Sequence, residues 1–191
     1  MNILVDLLPI GLEIDGIEYN INTDFRYWIN YTLVLQDDTL TEEEKILTVL
    51  QLVFVDNIPE NLQDAFEKIK WFYNCGEEIK SNVSKPIGKS KNDKIFDYEY
   101  DANYIYSAFM TQYHIDLQDI NLHWWKFQAL FKALDDNLLF SKIQKYRAID
   151  LKDIKDSKEK AFYKKMKKLY ELPRDEIEIE NIKEIDLWKT Y

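Results

Sequence analysis

The stretch Thr41-Glu42-Glu43-Glu44-Lys45-Ile46-Leu47-Thr48-Val49-Leu50-Gln51-Leu52-Val53-Phe54 decides the fold class. Thr41 followed three residues later by Glu44 is a capping box, in which the two side chains satisfy free backbone amides at the start of a helix. Ile46, Leu50, Val53 and Phe54 then recur at helical spacing. Glu42 to Glu44 occupy the first turn, where the helix dipole favours negative charge. Downstream, a second helix is expected from near Pro59, with Leu62, Ala65, Phe66, Ile69, Phe72 and Tyr73 on its apolar stripe and Gly76 as its stop.

Upstream, Thr23 or Asp24 can cap a helix to about Gln36 that is apolar nearly all round. Phe25, Trp28, Ile29 and Leu35 lie along one stripe, with Tyr27, Tyr31 and Val34 elsewhere. Before it, Asp15-Gly16 separates two alternating runs and predicts a two-residue hairpin loop of type I′. That loop sets Ile14 opposite Ile17, Leu12 opposite Tyr19 and Ile10 opposite Ile21 on one face, with Glu13 opposite Glu18 on the other. A lone hairpin is marginal in water, so its apolar face is expected to lie on the helices.

Residues 77–95 are polar, hold Pro86 and Gly88, and read as a long mobile loop. Beyond it, Asp101 can cap a helix to about Tyr113 with Ala102, Ile105 and Phe109 inward. Ile120, Trp124, Phe127, Phe131 and Leu134 mark an aromatic-faced helix, Leu138 to Arg147 a short one, and residues 157–171 a longer one with Phe162, Met166 and Leu169 on a narrow stripe. The expected architecture is mainly α, a multi-helix domain with a short N-terminal β-hairpin. Residues 1–76 supply the hairpin and three helices, 96–173 the C-terminal helices of the same globule, and 174–191 a tail segment of undecided conformation.

Composition supports that reading. Among 191 residues, four Gly and four Pro are too few for the turns of a strand-rich protein, and 46% apolar residues suffice for a core. No apolar run approaches the roughly 20 residues of a membrane span, so no membrane association is expected. The opening Met1 to Pro9 lacks the basic flank and cleavage site of a secretion signal, and the single Cys75 precludes an intrachain disulfide. The expected compartment is the cytoplasm of a bacterial host cell, once the resemblance below is included.

Charge is unevenly placed. Residues 1–75 hold 14 acids against 4 bases, a net of −10, whereas the remainder is balanced with 21 of each. Nucleic-acid affinity rests on clustered Lys and Arg, so such binding is not expected from the first part. One cluster stands apart, because residues 157–168 carry Lys158, Lys160, Lys164, Lys165, Lys167 and Lys168 against Glu159 alone, a local charge of +5. Lys164, Lys165, Lys167 and Lys168 are its candidate patch for a membrane surface or nucleic acid. The plainer reading is a solvated face that pairs with acidic surface.

No catalytic or metal-binding constellation is visible. His114 and His123 lie nine residues apart in different expected elements and read as surface or helix-end residues, and Cys75 as a buried small residue near a helix end. The glycines are scattered, without a phosphate loop or nucleophile elbow. Neither an enzyme nor a cofactor is expected. The 13 Tyr, 10 Phe and 5 Trp exceed what a core of this size easily buries, so either a docking surface or an aromatic core boundary accounts for them.

Several stretches resemble the bacteriophage family named for gene product fifteen. They are Met1 to Pro9, Ile21-Asn22-Thr23-Asp24-Phe25-Arg26, Leu40 to Lys45, and Trp71-Phe72-Tyr73-Asn74-Cys75-Gly76. The likeness continues through Asp97-Tyr98-Glu99-Tyr100-Asp101-Ala102, Leu122-His123-Trp124-Trp125-Lys126-Phe127, Tyr146 to Leu151 and Phe162 to Lys168, and so spans most of residues 1–173. The family is known mainly from phages and prophages of low-GC Gram-positive hosts, in the tail gene block near the tape-measure gene. The resemblance brings no catalytic residues. It implies a non-enzymatic tail assembly factor, a chaperone coating the tape-measure protein before the tail tube forms, with the tape-measure or other tail proteins as partners. A structural tail or connector protein of the virion is the alternative, and a regulatory nucleic-acid binder acting through Lys158 to Lys168 the second. In the tail segment, Ile182, Ile185 and Trp188 are the candidate residues for docking a neighbouring copy or the partner.

Overall fold

The computed structural model of the chain describes residues 1–77 and 94–173. Among them are seven helices and one antiparallel hairpin, the expected mainly α architecture. The expected loop at 77–95 falls largely outside the described residues, and the tail segment entirely so. The described residues form two compact units, 1–77 with Phe109–Leu134, and 94–108 with 135–173.

In the first unit, β1 (Gly11–Ile14) pairs with β2 (Ile17–Asn20) in the expected register, Leu12 opposite Tyr19 and Ile14 opposite Ile17. Asp15 and Gly16 have φ of 51° and 76°, the positive values that a type I′ turn demands. Leu12 and Ile14 are buried and β1 packs on the third helix, but Ile10 and Ile17 face solvent, so only part of the predicted apolar face is covered.

Helix α1 (Phe25–Gln36) is capped by Asp24, whose side chain accepts the Arg26 N–H at 3.0 Å. It buries Phe25, Trp28 and Tyr31, whereas the expected Leu35 is exposed. The predicted stripe is thus buried at Phe25 and Trp28 and lost at its aliphatic end, with Tyr31 taking the place expected of Leu35. Helix α2 (Glu42–Val53) starts with the complete capping box, Thr41 N–H donating to Glu44 at 2.8 Å and Glu44 N–H to the Thr41 hydroxyl at 3.3 Å. Leu50 and Val53 are buried with Val49, and Ile46 is exposed.

Helix α3 (Leu62–Tyr73) begins three residues after Pro59, because Asn61 supplies the side-chain cap to Asp64 N–H. Its end is a Schellman motif in which Cys75 N–H reaches Phe72 O at 2.9 Å and Gly76 N–H reaches Trp71 O at 3.0 Å. The first left-handed residue is therefore Cys75 (φ 57°), one position before the glycine expected to stop the helix. Gly76 follows at φ 77°, and a Cβ there would stand 2.9 Å from the Trp125 ring, so glycine is required by both conformation and space.

Helix α4 (Ala102–Tyr113) has Ile105 and Phe109 buried as expected, but Ala102 exposed. Helix α5 (Trp124–Lys132) is shorter than its sequence pattern, leaving Ile120 and Leu134 outside, because His123 provides the N-cap and the chain turns at Ala133. Helix α6 (Leu139–Ala148) buries Phe140 and Ile143. Helix α7 (Ser157–Leu169) packs against α6 yet buries no residue fully; the expected stripe residues Phe162 and Leu169 are 48% and 64% exposed.

Candidate interaction surface

The aromatic residues that seemed numerous enough to form a docking surface are mostly core in the first unit. Trp28, Phe72, Trp124 and Phe127 are at most 1% exposed. Trp28 stacks on Phe72 at 4.6 Å, and Phe127 lies between Phe25 at 4.8 Å and Phe109 at 5.1 Å with nearly parallel rings. Each buried indole N–H finds a carbonyl: Trp28 donates to Asn22 O, Trp124 to Tyr73 O and Trp125 to Phe72 O, at 2.7 to 2.9 Å. Without those acceptors each buried donor would cost about 1–3 kcal/mol.

His123 is held in the same network. Its Nδ1 accepts Trp125 N–H at 3.1 Å and Nε2 lies 3.0 Å from Pro9 O, which makes Nε2 the protonated nitrogen of a neutral ring. Burial lowers its pKa, Lys126 repulsion acts the same way, and the bond to Pro9 opposes both. Arg26 forks onto Leu117, Gln118 and Ile120 carbonyls at 2.6 to 3.1 Å and so organises the loop before α5. These groups are fully engaged in structure. His114, with φ 56°, ends α4, so both histidines stand at helix ends as expected. Cys75 is half-buried, and burial raises its thiol to about 11, which fits an unreactive helix-end residue.

The second unit has one polar centre that sequence reasoning missed. Asp101 and Arg147 make a two-pronged ion pair at 2.6 and 2.9 Å, with side chains 1% and 8% exposed. Arg147 also donates to the Tyr170 and Ile95 carbonyls, while Asp101 accepts Asp97 N–H at 2.9 Å, so the carboxylate expected as a helix cap serves the ion pair. Lys94 and the Glu99 and Tyr100 amides bond the Asp97 carboxylate and hold it below the usual carboxylate range against the opposing effect of burial. The sequence signal lies in the arginines: only three stand in a lysine-rich chain, and two, Arg26 and Arg147, occupy sites that use the guanidinium fork.

What remains open to a partner is mainly aliphatic. Leu4, Val5 and Leu7 are 77 to 93% exposed, and Met1, Ile3, Ile10 and Ile17 are exposed with them. A turn held by Asn2 and Asp6 shapes this N-terminal arm, with Asp6 N–H on Asn2 O at 2.9 Å, and the His123 contact to Pro9 fixes its base. Beside it, a shallow groove of about 460 Å³ between β1 and α3 is lined by Glu13, Asp64, Glu67, Lys68 and Trp71. Its acids and lone lysine form no catalytic arrangement with a nucleophile or histidine. Among the described residues no group of His, Cys, Asp and Glu is placed to hold a metal ion, and no helix is long and apolar enough to cross a membrane.

Of the basic patch, Lys164, Lys165 and Lys168 are exposed, and Lys167 is half-buried and donates to Ile149 O at 3.0 Å. Ile182, Ile185 and Trp188 lie outside the described residues.

A family model described as Bacteriophage Gp15 protein matches residues 4–172. The chain belongs to this family. Membership makes it a bacteriophage protein of the structural or assembly class, and the Gp15 family is not known as a family of enzymes. Neither a curated protein nor a solved structure matches the chain. The stretches that carry the Gp15 likeness meet pairwise in the fold. Ile21–Arg26 runs beside Leu122–Phe127, where Phe25 N–H donates to Leu122 O at 2.9 Å and Trp124 N–H to Thr23 O at 2.7 Å. Trp71–Gly76 supplies the carbonyls for two indoles, and Asp97–Ala102 meets Tyr146–Leu151 through Asp101 and Arg147. In this chain, these Gp15 segments serve the architecture.

Proposed function

We propose that this chain is a tail assembly chaperone that binds the tape-measure protein during tail morphogenesis. The observation that supports this reading most is the exposed aliphatic arm Met1–Ile10 with Ile17, presented on a unit whose Trp28, Trp124 and Trp125 are already buried and hydrogen-bonded. An exposed apolar surface of this kind suits reversible capture of amphipathic helices, whose apolar faces would otherwise aggregate. The net charge of −10 over residues 1–75 keeps such a complex soluble by mutual repulsion. A partner helix with lysine on its polar flank fits the groove wall of Glu13, Asp64 and Glu67.

The test is co-expression with the tape-measure protein of the same phage, followed by size-exclusion chromatography. A soluble joint complex, with the tape-measure protein insoluble alone, is the expected result. Absence of association, together with recovery of this chain from purified virions, overturns the chaperone reading in favour of a structural tail or connector component.

A further inference from the structure

The outer edge of β1 is open. In a two-residue hairpin the pairs that exchange hydrogen bonds alternate along the ladder, and Ile21 N–H on Ile10 O at 3.1 Å places Ile10–Ile21, Leu12–Tyr19 and Ile14–Ile17 among them. The N–H and C=O groups of Gly11 and Glu13 therefore point away from β2, and no described residue bonds to them. The far edge of β2 is engaged at its end, where Val55 N–H reaches Asn20 O at 3.1 Å and Asn22 N–H reaches Val53 O at 2.8 Å.

Gly11, Leu12 and Glu13 form one wall of the groove of about 460 Å³ between β1 and α3. Asp64, Glu67, Lys68 and Trp71 form the other, on a flank of α3 about a quarter turn from the buried Ala65, Ile69 and Phe72. Asn61 Nδ2 donates to Asp15 at 3.1 Å, so α3 starts beside the hairpin turn and the two walls run antiparallel. A lysine beside these carboxylates suits a helix or a strand alike. Free N–H and C=O groups along a strand edge select the strand, because a helix has already used its own backbone groups internally. An added strand would set the residue opposite Leu12 on the α3 side and the residue opposite Glu13 on the solvent side.

Charge selects the side chains. Glu13, Asp64 and Glu67 against Lys68 give the groove a net of −2. On the solvent face Glu13 stands directly opposite Glu18, a repulsive pair, and neither carboxylate forms an ion pair with a described residue. Glu18 also leans over Gly11, with its Oε1 and Cγ 3.0 and 3.1 Å from where a Cβ would stand, so a side chain at position 11 would push that carboxylate off the edge. Pairing of β1 with a second copy of itself would crowd these carboxylates together and is disfavoured. The same charge attracts a basic segment.

We propose that this edge is a strand-addition site for an extended, basic segment of a partner protein, held by main-chain bonds to Gly11 and Glu13. One cationic side chain, opposite Leu12, lies along Trp71 with its charge at Asp64 and Glu67, and its neighbour, opposite Glu13, sits between the Glu13 and Glu18 carboxylates. The inference goes beyond the tape-measure reading and does not depend on it, because it concerns the backbone conformation that the groove accepts.

Amide NMR of the isotope-labelled full chain tests it, with a capped peptide of alternating threonine and valine that carries a central Arg-Lys pair. The Gly11 and Glu13 amides are expected to shift on titration and to exchange with solvent several-fold more slowly in the bound state. N-methylation of every second peptide residue should abolish binding in one phase and leave it in the other, since only one set of peptide amides faces the edge. Glu13→Gln combined with Glu67→Gln, both exposed positions, should weaken binding several-fold, and added salt should act in the same direction. Equally tight binding of an alanine-rich helical peptide with the same Arg-Lys pair, equal loss in both methylation phases, or no shift at millimolar peptide overturns the proposal. So does protection of both amides that grows with protein concentration in the absence of peptide, which makes a second copy the occupant. Co-expression with the tape-measure protein can fail while this titration succeeds, and the reverse, so the two readings are tested separately.

Discussion

The two compact units solve the same problem, how to bury polar groups in a small helical protein, by opposite means. Around Trp124 the first unit uses large rings whose few donors each point at a backbone carbonyl freed at a helix end or loop. Around Arg147 the second unit uses a buried charge, neutralised by Asp101 and surrounded by carbonyls, and its last helix buries no residue completely. The aromatic arrangement gains from apolar area and loses little if one hydrogen bond weakens. The ionic arrangement depends on both partners, because a lone buried charge is far more costly than the pair.

The largest expected effect comes from truncating the aromatic side. Trp124→Ala removes a ring that is 1% exposed and should lower the unfolding free energy by about 3–5 kcal/mol in urea titrations. A loss below 1 kcal/mol would mean that the rings are not the principal source of stability there. Next, Asp101→Leu strands Arg147 and should cost about 3 kcal/mol or more, while the double variant with Arg147→Met should recover most of it. If the double variant is as unstable as the single, hydrogen bonds from Arg147 to Tyr170 and Ile95 carry more of the stability than charge pairing does.

A smaller effect is expected at Gly76→Ala, about 1–2 kcal/mol from the left-handed backbone, increased by the approach to Trp125. His123 gives the first unit a pH dependence. Its folded pKa is depressed below 6.5, so the unfolded chain takes up the proton first. The contribution is present above pH 6.5 and is lost as pH falls from there through the folded value. His123→Asn, which retains an N-cap acceptor, should flatten that slope in pH-dependent denaturation. The smallest effect on stability belongs to Leu7→Ser, within about 0.5 kcal/mol because the side chain is 93% exposed. The same substitution should reduce recovery of the tape-measure complex, which separates the binding surface from the scaffold.

Local signals in the sequence reached the hairpin and the helices well. Asp15-Gly16 fixed a register that the backbone adopts residue for residue, and Thr41 with Glu44 marked a helix start to the position. Which stripe each helix buries was less legible. Leu35, Ile46, Phe162 and Leu169 have the right periodicity and are exposed, because the packed side is chosen by neighbours distant in sequence. The same distance concealed the polar centres. Arg26 meets carbonyls 91 to 94 residues away and Asp101 meets Arg147 across 46, and no local spacing encodes such pairs. At the candidate surface, Met1 to Pro9 was legible as apolar, but nothing in its local spacing encodes the exposure of Leu4, Val5 and Leu7.

The left-handed Cys75 at the end of α3 has a practical consequence. Its thiol is the only one in the chain, half-buried, and pushed up to about 11, so it presents little thiolate to an alkylating reagent while the helix end is intact. Labelling is expected to be slow and to quicken when the α3 terminus opens, where Phe72 and Trp125 also meet. The chain thus carries a native chemical clock, whose alkylation rate reports the opening of this helix end without an engineered cysteine.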